Sequence, residues 1–170
     1  GAFDDEKGNM WFLTDVGIKI LNISTNKCEF FRADGLPAQR ITSFFHAKDG
    51  TIWLGLADGT ISLMSPASGP YHFTIEDGLP GGETSSIDGM RSFTFVNTFM
   101  EDNKGTIWAA IWDRGIVRFN GMKAKKKFTS FNTQNGLSVN KVKSLGKDRE
   151  GNILIGTLGN GLSVFKGEKF

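Results

Sequence analysis

Between residues 41 and 75, apolar and polar positions fall into four short runs, each stopped by glycine or proline. Ile41 to His46, Thr51 to Leu56, Thr60 to Met64 and Tyr71 to Ile75 are rich in β-branched and aromatic residues. Asp49-Gly50 and Asp58-Gly59 separate the first three runs and are tight-turn signals. Pro66, Gly69 and Pro70 break the chain before the fourth. This spacing predicts four antiparallel strands, A to D, with A innermost. A helical reading fails, because glycine and β-branched residues recur too often for a long amphipathic stripe.

The same pattern returns along the chain. An acidic stretch, a glycine and a bulky apolar residue open a strand at Asp5-Glu6-Lys7-Gly8-Asn9-Met10-Trp11, Lys48-Asp49-Gly50-Thr51-Ile52-Trp53, Asp102-Asn103-Lys104-Gly105-Thr106-Ile107-Trp108 and Asp148-Arg149-Glu150-Gly151-Asn152-Ile153-Leu154. The turn glycines Gly8, Gly50, Gly105 and Gly151 are spaced by 42, 55 and 46 residues. Trp11, Trp53, Trp108 and Leu154 share one position, where a large side chain fills the wedge between sheets. Two residues on stand Leu13, Gly55, Ala110 and Gly156, mostly small, which lets a neighbouring sheet approach. The predicted fold is all-β, a partial β-propeller of three to four four-stranded antiparallel blades with incomplete end blades. Its units are 5–34, 38–77, 93–134 and 138–170, forming one domain over 1–170. Counted by strand they read B-C-D, A-B-C-D, A-B-C-D and A-B-C, with Gly167 to Phe170 beginning a D strand. The ends therefore expose bare sheet edges, and the expected partner is the rest of a larger propeller or a second copy in a homodimer.

Composition narrows the function. Net charge is +2 with both signs scattered, which gives no electrostatic case for nucleic acid. The basic cluster Lys123, Lys125, Lys126 and Lys127 reads as a solvated edge strand that resists sheet-to-sheet pairing. Cys28 is the one cysteine, so no internal disulfide framework or thiolate metal cage exists; it reads as a semi-buried small residue. No apolar run reaches membrane-spanning length, so this segment is expected to make no direct membrane contact. The opening Gly1-Ala2-Phe3-Asp4-Asp5 reads as a boundary within something longer.

Asp34-Gly35-Leu36-Pro37, an apolar strand, Lys48-Asp49-Gly50-Thr51-Ile52-Trp53-Leu54-Gly55 and Asp58-Gly59-Thr60-Ile61 together resemble the two-component regulator propeller repeat. The resemblance covers nearly the whole chain in three full copies and a truncated first one. It implies a periplasmic sensory module of a bacterial hybrid two-component system or related regulator, often one sensing carbohydrate breakdown products. Leu154 replaces tryptophan in the fourth copy, and Trp108-Ala109-Ala110 stands where the template has Trp-Leu-Gly. The family's shared residues are structural and assign no ligand contacts.

Candidate chemistry lies in the loops. From the Asp-Gly-Leu glycine to the next turn glycine the distance is 15 at Gly35–Gly50 and at Gly136–Gly151, but 27 at Gly78–Gly105. The extra residues fall within 81–92 and include Glu83, Asp88 and Arg91. An insertion in one repeat is where such scaffolds place specificity. The B-to-C turn of the following blade, Trp112-Asp113-Arg114, opens on the same face and reads as one residue longer than in the first two units. An exposed indole beside a carboxylate and a guanidinium suits a carbohydrate or a small acidic ligand. The alternative is that Trp112 packs under the long loop and Asp113 with Arg114 forms an ordinary surface pair.

No catalytic residue, cofactor or metal site is predicted. Asp102-Asn103-Lys104-Gly105 lacks the spacing and terminal glutamate of a calcium loop. His46 and His72 lie in different strands without ligand spacing, and no nucleophile elbow can be assembled. The expected function is a non-catalytic sensory or interaction module. Alternatives are an enzyme resembling the streptogramin-inactivating propeller lyases, faintly suggested by Gly8-Asn9-Met10-Trp11-Phe12, or a purely structural assembly fragment.

Overall fold

The computed structural model describes residues 2–5, 7–14, 17–31, 40–65, 69–81 and 94–170. Their strands form four separate antiparallel sheets. The first is β1 (Ala2–Asp4), β2 (Asn9–Thr14), β3 (Gly17–Asn22) and β4 (Lys27–Phe30). The second is β5 (Ile41–His46), β6 (Ile52–Leu56), β7 (Ile61–Ser65) and β8 (Gly69–Phe73). The third is β9 (Val96–Glu101), β10 (Ile107–Ile111), β11 (Gly115–Phe119) and β12 (Phe128–Phe131), and the last is β13 (Val142–Lys147), β14 (Ile153–Thr157) and β15 (Leu162–Phe165). Within each sheet the strands pair in chain order. This is the blade pattern expected; the first three strands of the second unit fall within a residue of where the apolar runs placed them. The fourth instead begins at Gly69, among the residues read as a break, and ends at Phe73 because Ile75–Asp77 forms a 3₁₀ turn.

The blades pack in one direction. The face of the first sheet carrying Trp11 and Ile18 covers Leu54 and Ile52 of the second. Trp53, Ile61, Leu63 and Phe73 of the second cover Val96, Ile107, Ala109 and Phe128 of the third. Trp108, Ile116 and Phe131 of the third cover Ile153, Ile155 and Phe165 of the fourth. The central strands of the two middle sheets, β6, β7, β10 and β11, are therefore largely buried on both faces, which explains their near-continuous apolar runs. Gly55 shows why small residues follow the tryptophan: a Cβ there would stand 2.4 Å from both Ser43 Oγ and Val96 Cβ of the next blade. Thr42 and Ser43 each donate a hydroxyl to Val96 O at 2.8 Å, tying the blades at that contact.

Several expectations are corrected. The first unit has an A strand after all, since Ala2–Asp4 pairs with Met10–Phe12 of β2; three residues are too few to show a period. The Asp77-Gly78-Leu79 and Asn135-Gly136-Leu137 phrases lie at the ends of 3₁₀ turns, Ile75–Asp77 and Thr133–Asn135, each closed by a capping box and a left-handed glycine. Gly78 at φ 100° permits this conformation, and Leu79 and Leu137 then drop into the cores. The phrase at Asp34–Pro37 lies outside the described residues. The lysine cluster precedes β12 rather than forming an edge strand. Lys127 reaches back to the preceding blade, 3.0 Å from Asp77 Oδ1, and so fastens two blades. Cys28 is exposed, not semi-buried, because all of β4 lies on the outside of its sheet.

At the chain's other end the fourth sheet has three strands, and Lys166 and Lys169 form an isolated bridge. Phe170 packs against Phe131 and Phe165, as Phe128 packs against Phe73 and Phe119 one blade earlier. Gly167 to Phe170 thus takes the place from which an outer strand begins.

Candidate functional site

The B-to-C turns and the segments entering each A strand share one end of the blades. There the first turn residue donates its N–H to the carbonyl just ahead of strand A: Ala57 to Arg40 (2.9 Å), Trp112 to Phe95 (2.8 Å) and Leu158 to Lys141 (2.8 Å). Equivalent positions of three blades therefore present Arg40, Phe95 and Lys141 beside Ala57, Trp112 and Leu158. An open groove of about 640 Å³ runs across the first three blades here, lined by Leu13, Thr14, Arg40, Thr42, Ala57 and Phe95.

Trp112, Asp113 and Arg114 form the turn between β10 and β11 and remain together on this face. Arg114 N donates to Ile111 O at 3.0 Å, and Gly115 N donates to Asn140 O at 3.1 Å, which ties the turn to the fourth blade. The turn is not longer than its counterpart in the second blade. Ala110 pairs with Ile116 and Gly55 with Ile61, so both turns have one length. Asp113 adopts φ 62°, a left-handed conformation that aspartate tolerates better than most side chains. Trp112 is half-buried rather than open: its ring stacks on Phe95 (centroids 5.6 Å, planes 12° apart), and Lys143 Nζ lies over it at 5.4 Å. Asn97 holds the backbone of β13 beside it, donating to Val142 O at 3.1 Å and Lys143 O at 2.9 Å. Glu83, Asp88 and Arg91 lie outside the described residues.

The face thus combines a positioned indole with Arg40, Arg114, Lys141 and Lys143, and with one carboxylate, Asp113, in the same turn. Such a set can stack on the C–H surface of a ring and pair with an acid group. Arg40, Phe95, Lys141 and Lys143 were missed by sequence reasoning. For the first three the signal was positional, since Arg40, Phe95 and Lys141 stand immediately before β5, β9 and β13; Lys143 lies within β13 and had no such signal.

The perturbed carboxylates lie elsewhere and are structural. At the opposite end, Asp5 accepts from Lys7 N, Asn9 N, Asn9 Nδ2 and Trp11 Nε1. Desolvation raises its pKa, yet these hydrogen bonds outweigh it and bring it down to about 2. Asp102 is lowered in the same way, with desolvation opposed by bonds from Trp108, Thr106 and Lys104. Asp102 in the tempting calcium-like phrase is therefore engaged in capping its own turn. Of the histidines, His72 Nδ1 shares a 2.9 Å hydrogen bond with Ser62, and His46 stacks on Phe3. No group of three or more potential metal ligands occurs among the described residues.

Comparison with known proteins follows this geometry. Residues 35–58 match the family described as two component regulator propeller. The chain is similar in structure to the extracellular domain of BT4673, assigned as a one component system of B. thetaiotaomicron, at 23% identity and TM-score 0.66, over 95% of this chain and 20% of that one. It is similar to the extracellular domain of BT3049, assigned as a hybrid two component system of the same organism, at 21% identity and TM-score 0.55, over 96% of this chain and 26% of that one. Virginiamycin B lyase of Staphylococcus aureus shares the fold at 14% identity and TM-score 0.70, over 100% of this chain and 53% of that one. No curated protein matches by sequence. These likenesses establish the β-propeller fold, of which the chain spans only a part of each relative's length.

Proposed function

We propose that this chain, which carries a two component regulator propeller repeat at residues 35–58, is a non-catalytic sensor module of a bacterial regulator, exposed outside the cytoplasm. Its ligand is a carbohydrate, one bearing an acid group by preference, held on the face of the B-to-C turns. The observation that carries this reading is Trp112: an aromatic ring stacked on Phe95 with Lys143 over its face and Arg114 in the same turn, where the sister blade has Ala57. A scaffold with its tryptophans in one buried position has no structural need of a further one at a turn. Binding there would act by favouring one arrangement of this face over another, which requires a difference in affinity between the two.

Calorimetric titration with neutral and uronic-acid oligosaccharides tests it. Both classes are expected to bind the native chain, the uronic-acid forms more tightly. Trp112→Ala is expected to lose the neutral ligands and Arg114→Gln to weaken the acidic ones, with folding retained in both. Neutral-oligosaccharide binding that survives Trp112→Ala, or no binding by any of them, contradicts the proposal.

A further inference from the structure

The opposite end of the molecule holds a second groove, about 560 Å³, between the third and fourth blades. Its origin is a pair of exchanges at equivalent positions. Across from its tryptophan each sheet places one residue of strand C: Ile20 opposite Trp11, Leu63 opposite Trp53, Arg118 opposite Trp108 and Val164 opposite Leu154. Three blades use an aliphatic side chain there and the third uses a guanidinium. The next strand repeats the change, with Tyr71 beside Leu63 but Thr129 beside Arg118. In the second blade Leu63 is buried and Tyr71 covers it. In the third, the smaller and more polar pair leaves the junction open.

Arg118 is held firmly. Its guanidinium lies 5.7 Å from the ring centroids of both Trp108 and Phe131. Its Nη1 donates to both carboxylate oxygens of Glu168, at 2.5 and 2.6 Å. The two side chains differ sharply in exposure, 23% for Arg118 against 69% for Glu168. Glu168 also sits at φ 74°, a left-handed conformation disfavoured for a side-chain-bearing residue. A fixed, aromatic-backed cation is therefore partnered by an exposed carboxylate on a less favourable backbone. Around it the groove presents Asn103 and Thr106, groups suited to hydroxyls, together with Asn120, whose amide donates to Thr129 and Lys126 O, and Asn152, whose amide donates to Asp148. The acidic lining groups are otherwise engaged: Asp102 with its turn and Trp108, and Glu150 with Lys166 at 3.5 Å.

We propose that this groove is a second ligand site, in which Arg118 receives the carboxylate of a small hydroxy acid of sugar size and Glu168 is its internal stand-in. The site is independent of Trp112 and lies at the other end of the blades. The half-buried guanidinium of Arg118 supplies charge and direction, and Asn103 and Thr106 supply hydroxyl partners.

The test is titration of the native chain, Glu168→Ala and Glu168→Ala/Arg118→Leu with glucuronate, glucose and acetate. Leucine at 118 copies the second blade, and circular dichroism verifies each fold. Removing the stand-in is expected to tighten glucuronate binding about tenfold or more, with glucose and acetate far weaker. Arg118→Leu is expected to abolish that gain, and Trp112→Ala to leave it intact. The proposal is overturned if Glu168→Ala gives no gain, if acetate binds as well as glucuronate, or if the gain persists without Arg118. Should the double variant fail to fold, Glu168→Ala/Arg118→Lys must lose most of the gain, since an ammonium lacks the fork.

Discussion

The indole of Trp108 donates to the carboxylate of Asp102 at 3.1 Å, and Trp11 donates to Asp5 in the same way at 3.0 Å. One aspartate thus caps the A-to-B turn with one oxygen and anchors the wedge tryptophan with the other. The second blade lacks the pair, having Ala47 at the aspartate's position, and there Trp53 is buried entirely by packing. Asp102→Ala should cost about 1–2 kcal/mol, the loss of several hydrogen bonds to one carboxylate. Denaturant unfolding measures it, and Ala47, already without that carboxylate, provides the control blade.

The same carboxylates set the acid limit. Asp5 and Asp102 have folded pKa values below their unfolded ones, so their contribution is full above about pH 4. It is lost as pH falls through the folded values, near 2 for Asp5. Melting temperature should therefore fall between pH 4 and 2. Asp102→Asn should flatten part of that slope.

Two tryptophans separate scaffold from site. Trp53 is 3% exposed, stacked on Phe73 and edge-on to Phe119 at 4.8 Å. Trp53→Ala should destabilise by about 3–5 kcal/mol through the cavity left behind. Trp112→Ala should cost only about 1 kcal/mol, since its ring is half in solvent. Equal losses in the two variants, read from thermal unfolding, would contradict this division.

Glycines at equivalent positions should differ likewise. Gly55→Ala drives a methyl into Val96 of the adjoining blade and should cost about 1–3 kcal/mol. At Gly156 the nearest obstacle is Ser144 Oγ, the end of an exposed side chain that can rotate away. Gly156→Ala should be tolerated better, as thermal unfolding of the pair would show.

Much of this was legible in the sequence because each repeat obeys the same physics. The tryptophan phrase, the turn glycines and the short apolar runs located the strands of the second blade to within about two residues and the repeat of that unit along the chain. What escaped was short or singular. Ala2–Asp4 is too brief to show alternation, and Lys127 looked like a solvated lysine because its partner Asp77 is 50 residues away. Arg118 was visible in principle: it stands ten residues after Trp108, as Leu63 stands ten after Trp53. Reading the repeat for its exceptions, as well as for its pattern, would have found it. Trp112 was singled out from a turn read as one residue longer, which it is not relative to the second blade, and its stacking on Phe95 could not be inferred without the backbone bond joining them.

The most direct measurement follows the four indole N–H signals by nuclear magnetic resonance while a uronic-acid disaccharide is added. Trp11, Trp53, Trp108 and Trp112 report the first blade's junction, the core, the Arg118 groove and the B-to-C face respectively. The account predicts that the Trp112 signal moves with saturation while Trp53 stays fixed. A titration that moves Trp53 and leaves Trp112 still, or that moves none of the four, would contradict a ligand site on that face.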